Sequence, residues 1–176
     1  KTLHLRTLSP FEGCKFWEAD DIPNAFMVRG DLIRKNKIKF RKGYGIMYEE
    51  SDYAYRIKRL GYKISMVRSA KIYHDIEDLS GKKAKDYLYH FLTDTRRPYV
   101  FGRNRLVFHY FYSNKMQNIG IIFFWTWIFA LYYCYKFIFY KGFGEFQISH
   151  KLSAALSYIK GTFSGLKFVL LSEHKI

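Results

Sequence analysis

Along the first part of the chain the spacing of apolar positions changes several times. In "DIPNAFMVRGDLIRKNKIKF", residues 21 to 40, the run Ile22 to Val28 predicts a buried strand, Asp31 can cap a short helix, and Ile38 and Phe40 alternate with lysines as an edge strand would. The period then lengthens. Between Glu50 and Leu60, the residues Tyr53, Ile57 and Leu60 share one face at spacings of four and three, which predicts a helix. Gly61 is placed to end it, and Lys58 and Arg59 suit the negative end of its dipole. "YKISMV" returns to alternation, with Tyr62, Ile64 and Met66 set against Lys63 and Ser65, and "AKIYHD" at 70–75 makes a second short extended segment. A helix flanked by short strands predicts an α/β unit over residues 1–80.

From Lys82 to Tyr112 the pattern is helical and aromatic, with Pro98 expected to break or restart the helix. "RRPYVFGRNRLVFHYFY" mixes Arg96, Arg97, Arg103 and Arg105 with six Tyr and Phe. Residues 81–118 therefore read as amphipathic, basic and aromatic helices of the kind found at a lipid headgroup boundary. Ile119 to Tyr135 is a run of seventeen residues without charge, at the lower limit of what spans a bilayer. A membrane-inserted helix over 119–140 is expected, spanning or in-plane, with a core helix as the competing reading. Over 141–176, Leu152, Leu156, Ile159 and Phe163 form a helical stripe with Lys151 and Lys160 outside it, so the last helix either lies on a membrane or packs back on the domain.

Charge narrows the partners. Thirty Lys and Arg against fifteen Asp and Glu give +15, which favours anionic partners such as lipid headgroups or phosphorylated sugars. Residues 29–42 carry seven Lys or Arg and one acid, either a solvated face or an attractor of phosphate. Nucleic acid is the weaker reading, because the aromatic residues concentrate in long apolar runs after Tyr87. Cys14 and Cys134 form no metal or disulfide pattern. The chain opens on Lys1 with no methionine, which reads as a processed product or the downstream part of a longer protein, and nothing at its start has a signal-peptide pattern.

Glu49, Glu50 and Asp52 stand at the start of the helix expected from residue 50. Acids there are favoured by the positive end of the helix, by about 0.3 to 1 kcal/mol each, which explains any one of them. Three together repel, and a carboxylate whose proton is held more tightly by a neighbour is a useful general base near neutral pH. Both readings stay open on spacing alone.

The run "YEESDYAYRIKRLGYKISMVRSAKIYH", residues 48–74, resembles the acceptor-side signature of inverting family 2 glycosyltransferases of the GT-A type. Tyr48, Glu49, Asp52, Arg56, Gly61, Tyr62, Ala70, Tyr73 and His74 stand where that pattern asks. "PNAFMVRGDLIRK" upstream, with "RNRLVF" and "IKGTFSGLK" downstream, resembles other parts of membrane-associated members. The resemblance implies the acceptor-side half of an α/β, GT-A-like nucleotide-sugar transferase domain followed by aromatic-rich helices. It also implies transfer of a sugar from a nucleotide-diphosphate donor to a glycan or lipid-linked acceptor at the cytoplasmic face of a membrane.

Glu50 occupies the position of the family's base, an aspartate there, so its reach is longer by one methylene. Glu49 would orient the acceptor or tune Glu50, Asp52 would support the helix start, and Arg56 would pair with Asp52 at i, i+4. His74 would be a ligand to the magnesium or manganese that holds the donor diphosphate. Asp20 and Asp21 lie too close to the signature to serve as the donor-side metal motif, so the nucleotide-binding half is expected upstream. A different class remains in view: a basic, non-catalytic, membrane-associated module.

Overall fold

The structure is a computed structural model and describes residues 16–22, 26–67, 87–141 and 146–172. It divides into two compact units, residues 1–75 and 76–176.

In the first unit β1 (Phe16–Ala19) pairs antiparallel with β2 (Ile64–Val67), Phe16 opposite Val67 and Ala19 opposite Ile64. Between them lie α1 (Gly30–Asn36) and α2 (Glu49–Arg59). Their shared core is Leu32, Ile38, Tyr53, Ala54, Ile57 and Ile64, with Ile22, Phe26 and Val28 packed against it. Tyr53 and Ile57 face inward as their spacing predicts, whereas Leu60, expected on the same face, is the C-cap and is exposed; Gly61 follows at φ +84°, a left-handed conformation that glycine adopts without a side-chain clash.

The α/β, GT-A-like architecture expected from the sequence is corrected here. Helices take up 69% of the described residues, and their only sheet is the two-stranded β1–β2 pair. The residues expected as strands at 26–28 and 38–40 supply apolar side chains to the core without joining a ladder. An apolar run alone predicted the first as a buried strand, and alternation alone placed Ile38 and Phe40 on an edge. A strand, however, needs a partner for its N–H and C=O groups, and α2 offers only side chains on that side. Asp31 lies in the first turn of α1 rather than at its N-cap, where Arg29 stands and pairs with it at 2.6 Å.

The second unit consists of α3 (Tyr87–Thr93), α4 (Arg96–Tyr112), α5 (Lys115–Gly120), a π turn (Ile121–Trp125), α6 (Thr126–Ile138) and α7 (Ile148–Leu171). The break before α4 falls at Asp94 and Thr95 rather than at Pro98, which sits buried in the first turn, where a missing N–H costs nothing. Asn114 and Gln117 close a reciprocal capping box on α5 at 2.9 and 3.0 Å. In the π turn the Thr126 hydroxyl donates to the Ile121 carbonyl at 2.6 Å, which helps satisfy the widened turn.

α4 and α7 run in the same direction, joined by Tyr99 Oη donating to Ser164 Oγ at 3.0 Å and by Tyr110 Oη donating to the Ser172 carbonyl at 3.4 Å. Glycines set how closely they approach. A Cβ on Gly161 would fall 1.9 Å from the Tyr99 carbonyl oxygen, and one on Gly165 would fall 2.8 Å from that of Arg103. α6 runs the opposite way along α7, with Cys134 Sγ 3.9 Å from the Ala155 carbonyl oxygen and the Trp127 ring 6.0 Å from Phe163.

Lys115 to Ile138 is long and apolar enough to cross a membrane, and only 11% of its apolar window is buried. On α7 the residues turned inward are Ala154, Ala155, Tyr158, Gly161, Thr162, Gly165, Leu166 and Val169. Leu152, Leu156 and Phe163 of the expected stripe are exposed. A close helix crossing needs residues without bulk at the contact, which Gly161 and Gly165 supply.

Candidate functional site

Three residues between 45 and 48 have left-handed backbone: Gly45 at φ +77°, Met47 at +63° and Tyr48 at +67°. For Met47 and Tyr48 this costs about 1 to 2 kcal/mol each, and strain of this kind gathers where a fixed geometry is needed. Tyr48 is also the N-cap of α2 and gives it no side-chain cap. Its carbonyl accepts the first helical bond, from Asp52 N at 2.8 Å. The turn thus delivers Glu49 and Glu50 directly onto the positive end of α2.

The three acids are treated differently. Asp52 is fully buried, with Oδ1 held by Arg41 Nε at 3.1 Å and Oδ2 by Arg56 Nε at 2.9 Å. Arg56 also donates from Nη2 to the Lys39 carbonyl at 2.7 Å, and its guanidinium lies over the Tyr53 ring. Asp52 and Arg56 therefore tie residues 39–41 to α2, and Phe40 stacks on Tyr53 at 4.7 Å as part of the same contact. Both oxygens of Asp52 are taken. It frames the site and does not face a ligand.

Glu49 and Glu50 line a pocket of about 420 Å³ together with Phe26, Phe40, Arg41, Lys42 and Gly45, a size that suits a small organic ligand. Glu49 Oε2 is buried and has no hydrogen-bond partner among the described residues. Burial pushes the Glu49 carboxyl above the ordinary range, and the neighbouring Glu50 charge adds to the rise. A buried acceptor without a donor costs about 1 to 3 kcal/mol, which a hydroxyl donated by a ligand would recover.

The structure thus brings Glu49 and Glu50 to one pocket, with Tyr48 at the helix N-cap outside its lining, and commits Asp52 and Arg56 to each other. His74 lies outside the described residues. The other nearby acids are committed, Asp20 to Lys58, and Asp21 to the Ser51 hydroxyl at 2.6 Å and to Ile22 N at 2.8 Å. Among the described residues no three acids, histidines or cysteines converge, so the cation implied by the resemblance has no ligand set among them and no step below is routed through it.

Sequence reasoning did not single out Phe26, Phe40 or Gly45. Phe40 was visible only as one half of an apparent edge-strand alternation, and Arg41 and Lys42 only as members of a basic run. The left-handed pair at 47 and 48 carries no sequence signal, because neither residue is Gly, Asn or Asp. In comparisons with known proteins, no family model, no curated protein and no solved structure matches the chain.

Proposed function

We propose that the pocket at the start of α2 holds a hydroxyl-bearing acceptor and serves sugar transfer with inversion, from a nucleotide-diphosphate-sugar donor to a glycan or lipid-linked acceptor. Glu50 takes the proton of the attacking hydroxyl. The bond from that oxygen to the anomeric carbon forms as the bond to the diphosphate breaks, and the electron pair leaves with the diphosphate. The observation that carries this reading is the buried, unpartnered Oε2 of Glu49 beside Glu50 in a pocket of ligand size. Glu49 accepts a hydrogen bond from the acceptor and holds it against Glu50. Phe26 and Phe40, their rings inclined at 58° to each other, give the pocket an apolar lining for a sugar ring, and Arg41 and Lys42 place positive charge at the same pocket.

The membrane setting is supported by the apolar helix Lys115–Ile138 and by the distribution of charge around it. Lys151 Nζ donates to the Tyr140 carbonyl at 2.8 Å and the Ser157 hydroxyl donates to the Thr95 carbonyl, so the end of α6 and the starts of α4 and α7 lie together. Arg96, Arg97, Lys136, Lys141 and Lys151 gather there, against Lys115 at the start of α5 and Lys167 toward the end of α7. By the positive-inside tendency this basic end faces the cytoplasm.

Donor-dependent transfer onto glycan and lipid-linked acceptors, with magnesium or manganese supplied, tests the proposal. Glu50→Gln should lower turnover by roughly a hundredfold or more. Near-normal turnover would remove Glu50 as the base. The exposed apolar surface of α6 and α7 supports a second reading, a non-catalytic basic membrane module. That reading prevails if vesicle binding persists while no nucleotide-sugar donor supports transfer.

A further inference from the structure

A second pocket, of about 400 Å³, opens on the outer side of α7. Its polar lining is four hydroxyls and one cation: Thr95 at the start of α4, with Ser149, Ser153, Ser157 and Lys160 on α7. The α7 residues follow one another at intervals of four, four and three, which puts them on a single helical face. Lys160 lines the pocket with them, and the lean of helical side chains toward the N-terminus favours its reaching the side of Ser157. The bond from Ser157 to the Thr95 carbonyl fixes the two walls against each other. Among the described residues Lys160 makes no ion pair, and no carboxylate lines the pocket. The nearest acid in sequence, Asp94, is already held by Arg96 at 3.2 Å and Arg97 at 3.8 Å.

The rest of the lining is apolar. Leu152 and Leu156 belong to the pocket and are 45% and 57% exposed, on the same face as Phe163, whose ring meets Trp127 of the uncovered α6 surface. The Ser157 and Ser149 hydroxyls already donate, to the Thr95 carbonyl and to Gln147 Oε1, which leaves Thr95, Ser153 and Lys160 to donate to a ligand; these, at the basic end of the bundle and joined to an exposed apolar strip, match a molecule with a phosphate head and a hydrocarbon tail. A free phosphate ion would use the hydroxyls and Lys160 but gain nothing from the leucines. We propose that this pocket binds the phosphate headgroup of an anionic bilayer phospholipid, with an acyl chain lying along Leu152 and Leu156. The proposal rests on the membrane setting above and is independent of the chemistry at Glu49 and Glu50.

Flotation of the full chain with two kinds of vesicle tests it: phosphatidylcholine alone, and phosphatidylcholine with about a fifth phosphatidylglycerol. The chain should bind both and prefer the anionic one. Lys160→Gln should lower that preference roughly five-fold. Lys167→Gln, which removes the same charge two turns along the same face, should have less than half that effect. Ser153→Leu fills the pocket without changing charge and should reproduce the Lys160→Gln loss. Equal losses from Lys160→Gln and Lys167→Gln, or an unaffected Ser153→Leu, would replace the site with diffuse charge attraction. Loss of the preference in millimolar inorganic phosphate, at constant ionic strength, would assign the pocket to the free ion instead. Failure to bind either vesicle overturns the membrane setting and this site with it, whereas equal binding to both overturns the site alone.

Discussion

Replacing Asp52 by Asn tests the division between framework and chemistry at the start of α2. Asp52 is fully buried and receives two charge-assisted bonds, at 3.1 Å from Arg41 and 2.9 Å from Arg56. Asparagine keeps the shape, loses the charge, and turns an N–H₂ group toward a guanidinium. Breaking a fully buried pair costs about 3 to 5 kcal/mol, chiefly through the charge left without a partner. Here the partners are not fully buried. The Arg41 and Arg56 side chains are 38% and 23% exposed, so each can turn partly to water, and the expected loss falls to about 2 to 4 kcal/mol. Amide hydrogen exchange along α2 reads this directly, since a helix that opens locally by that much more often exchanges roughly thirty to a thousand times faster. Residues 39–41 should loosen with α2, because Arg56 also holds the Lys39 carbonyl. Glu50→Gln, a change at the pocket rim, should leave α2 protection within about two-fold. If Asp52→Asn exchanges no faster than Glu50→Gln, Asp52 is not the strut described here and its buried pairing contributes nothing to the site.

Gly161→Ala should destabilise the helical unit by about 1 to 3 kcal/mol despite alanine's better helix propensity, because the new methyl would sit 1.9 Å from the Tyr99 carbonyl oxygen. Thermal unfolding in detergent checks this, and an unchanged or raised Tm would mean that α4 and α7 do not meet so closely. His109 is pushed down to about 4, by burial first and by the Arg105 charge second, so it is neutral in the fold and protonates more readily unfolded. Its contribution is complete above the ordinary histidine range and is lost as pH falls toward about 4, a loss of about 2 to 3 kcal/mol; His109→Gln should flatten that stretch of the stability–pH curve. Met47→Gly should relieve left-handed strain and, after the entropy cost of glycine, raise stability by about 0.5 to 1 kcal/mol while lowering turnover. Unchanged stability with unchanged turnover would show that the strained turn neither costs nor fixes anything.

The parts of this protein that can be read from its sequence are those in which one local pattern decides the outcome. α2 forms where Tyr53 and Ile57 fall on one face, and Gly61 ends it with the left-handed φ that its place predicts. The partner of Asp52 was readable for the same reason, since i, i+4 on a helix is a fixed distance. Where two segments had to agree, the pattern misled. Ile38 and Phe40 alternate like a strand, yet one is buried in the core and the other stacks on Tyr53, with no ladder between neighbours. On α7 the stripe of Leu152, Leu156, Ile159 and Phe163 left open whether it would lie on a membrane or pack on the domain; Gly161 and Gly165 make the contact with α4, and Leu152, Leu156 and Phe163 are exposed. Periodicity tells which residues share a face and leaves open which face a neighbour will cover.

The same distinction explains why the pocket residues were the least visible. Phe26, Phe40, Arg41 and Lys42 come from segments without regular structure and are held by contacts remote in sequence: Phe40 by Tyr53, Arg41 by Asp52. The costs at this site are concentrated, with two left-handed residues and one buried carboxylate oxygen lacking a donor within three consecutive positions, Met47 to Glu49. Each is about 1 to 3 kcal/mol, a large share of the total stability of a small unit. Asp52, Arg41, Arg56 and the Phe40–Tyr53 stack oppose those costs. Glu49 and Glu50 line the pocket, so a bound hydroxyl would supply the donor that Glu49 Oε2 lacks among the described residues.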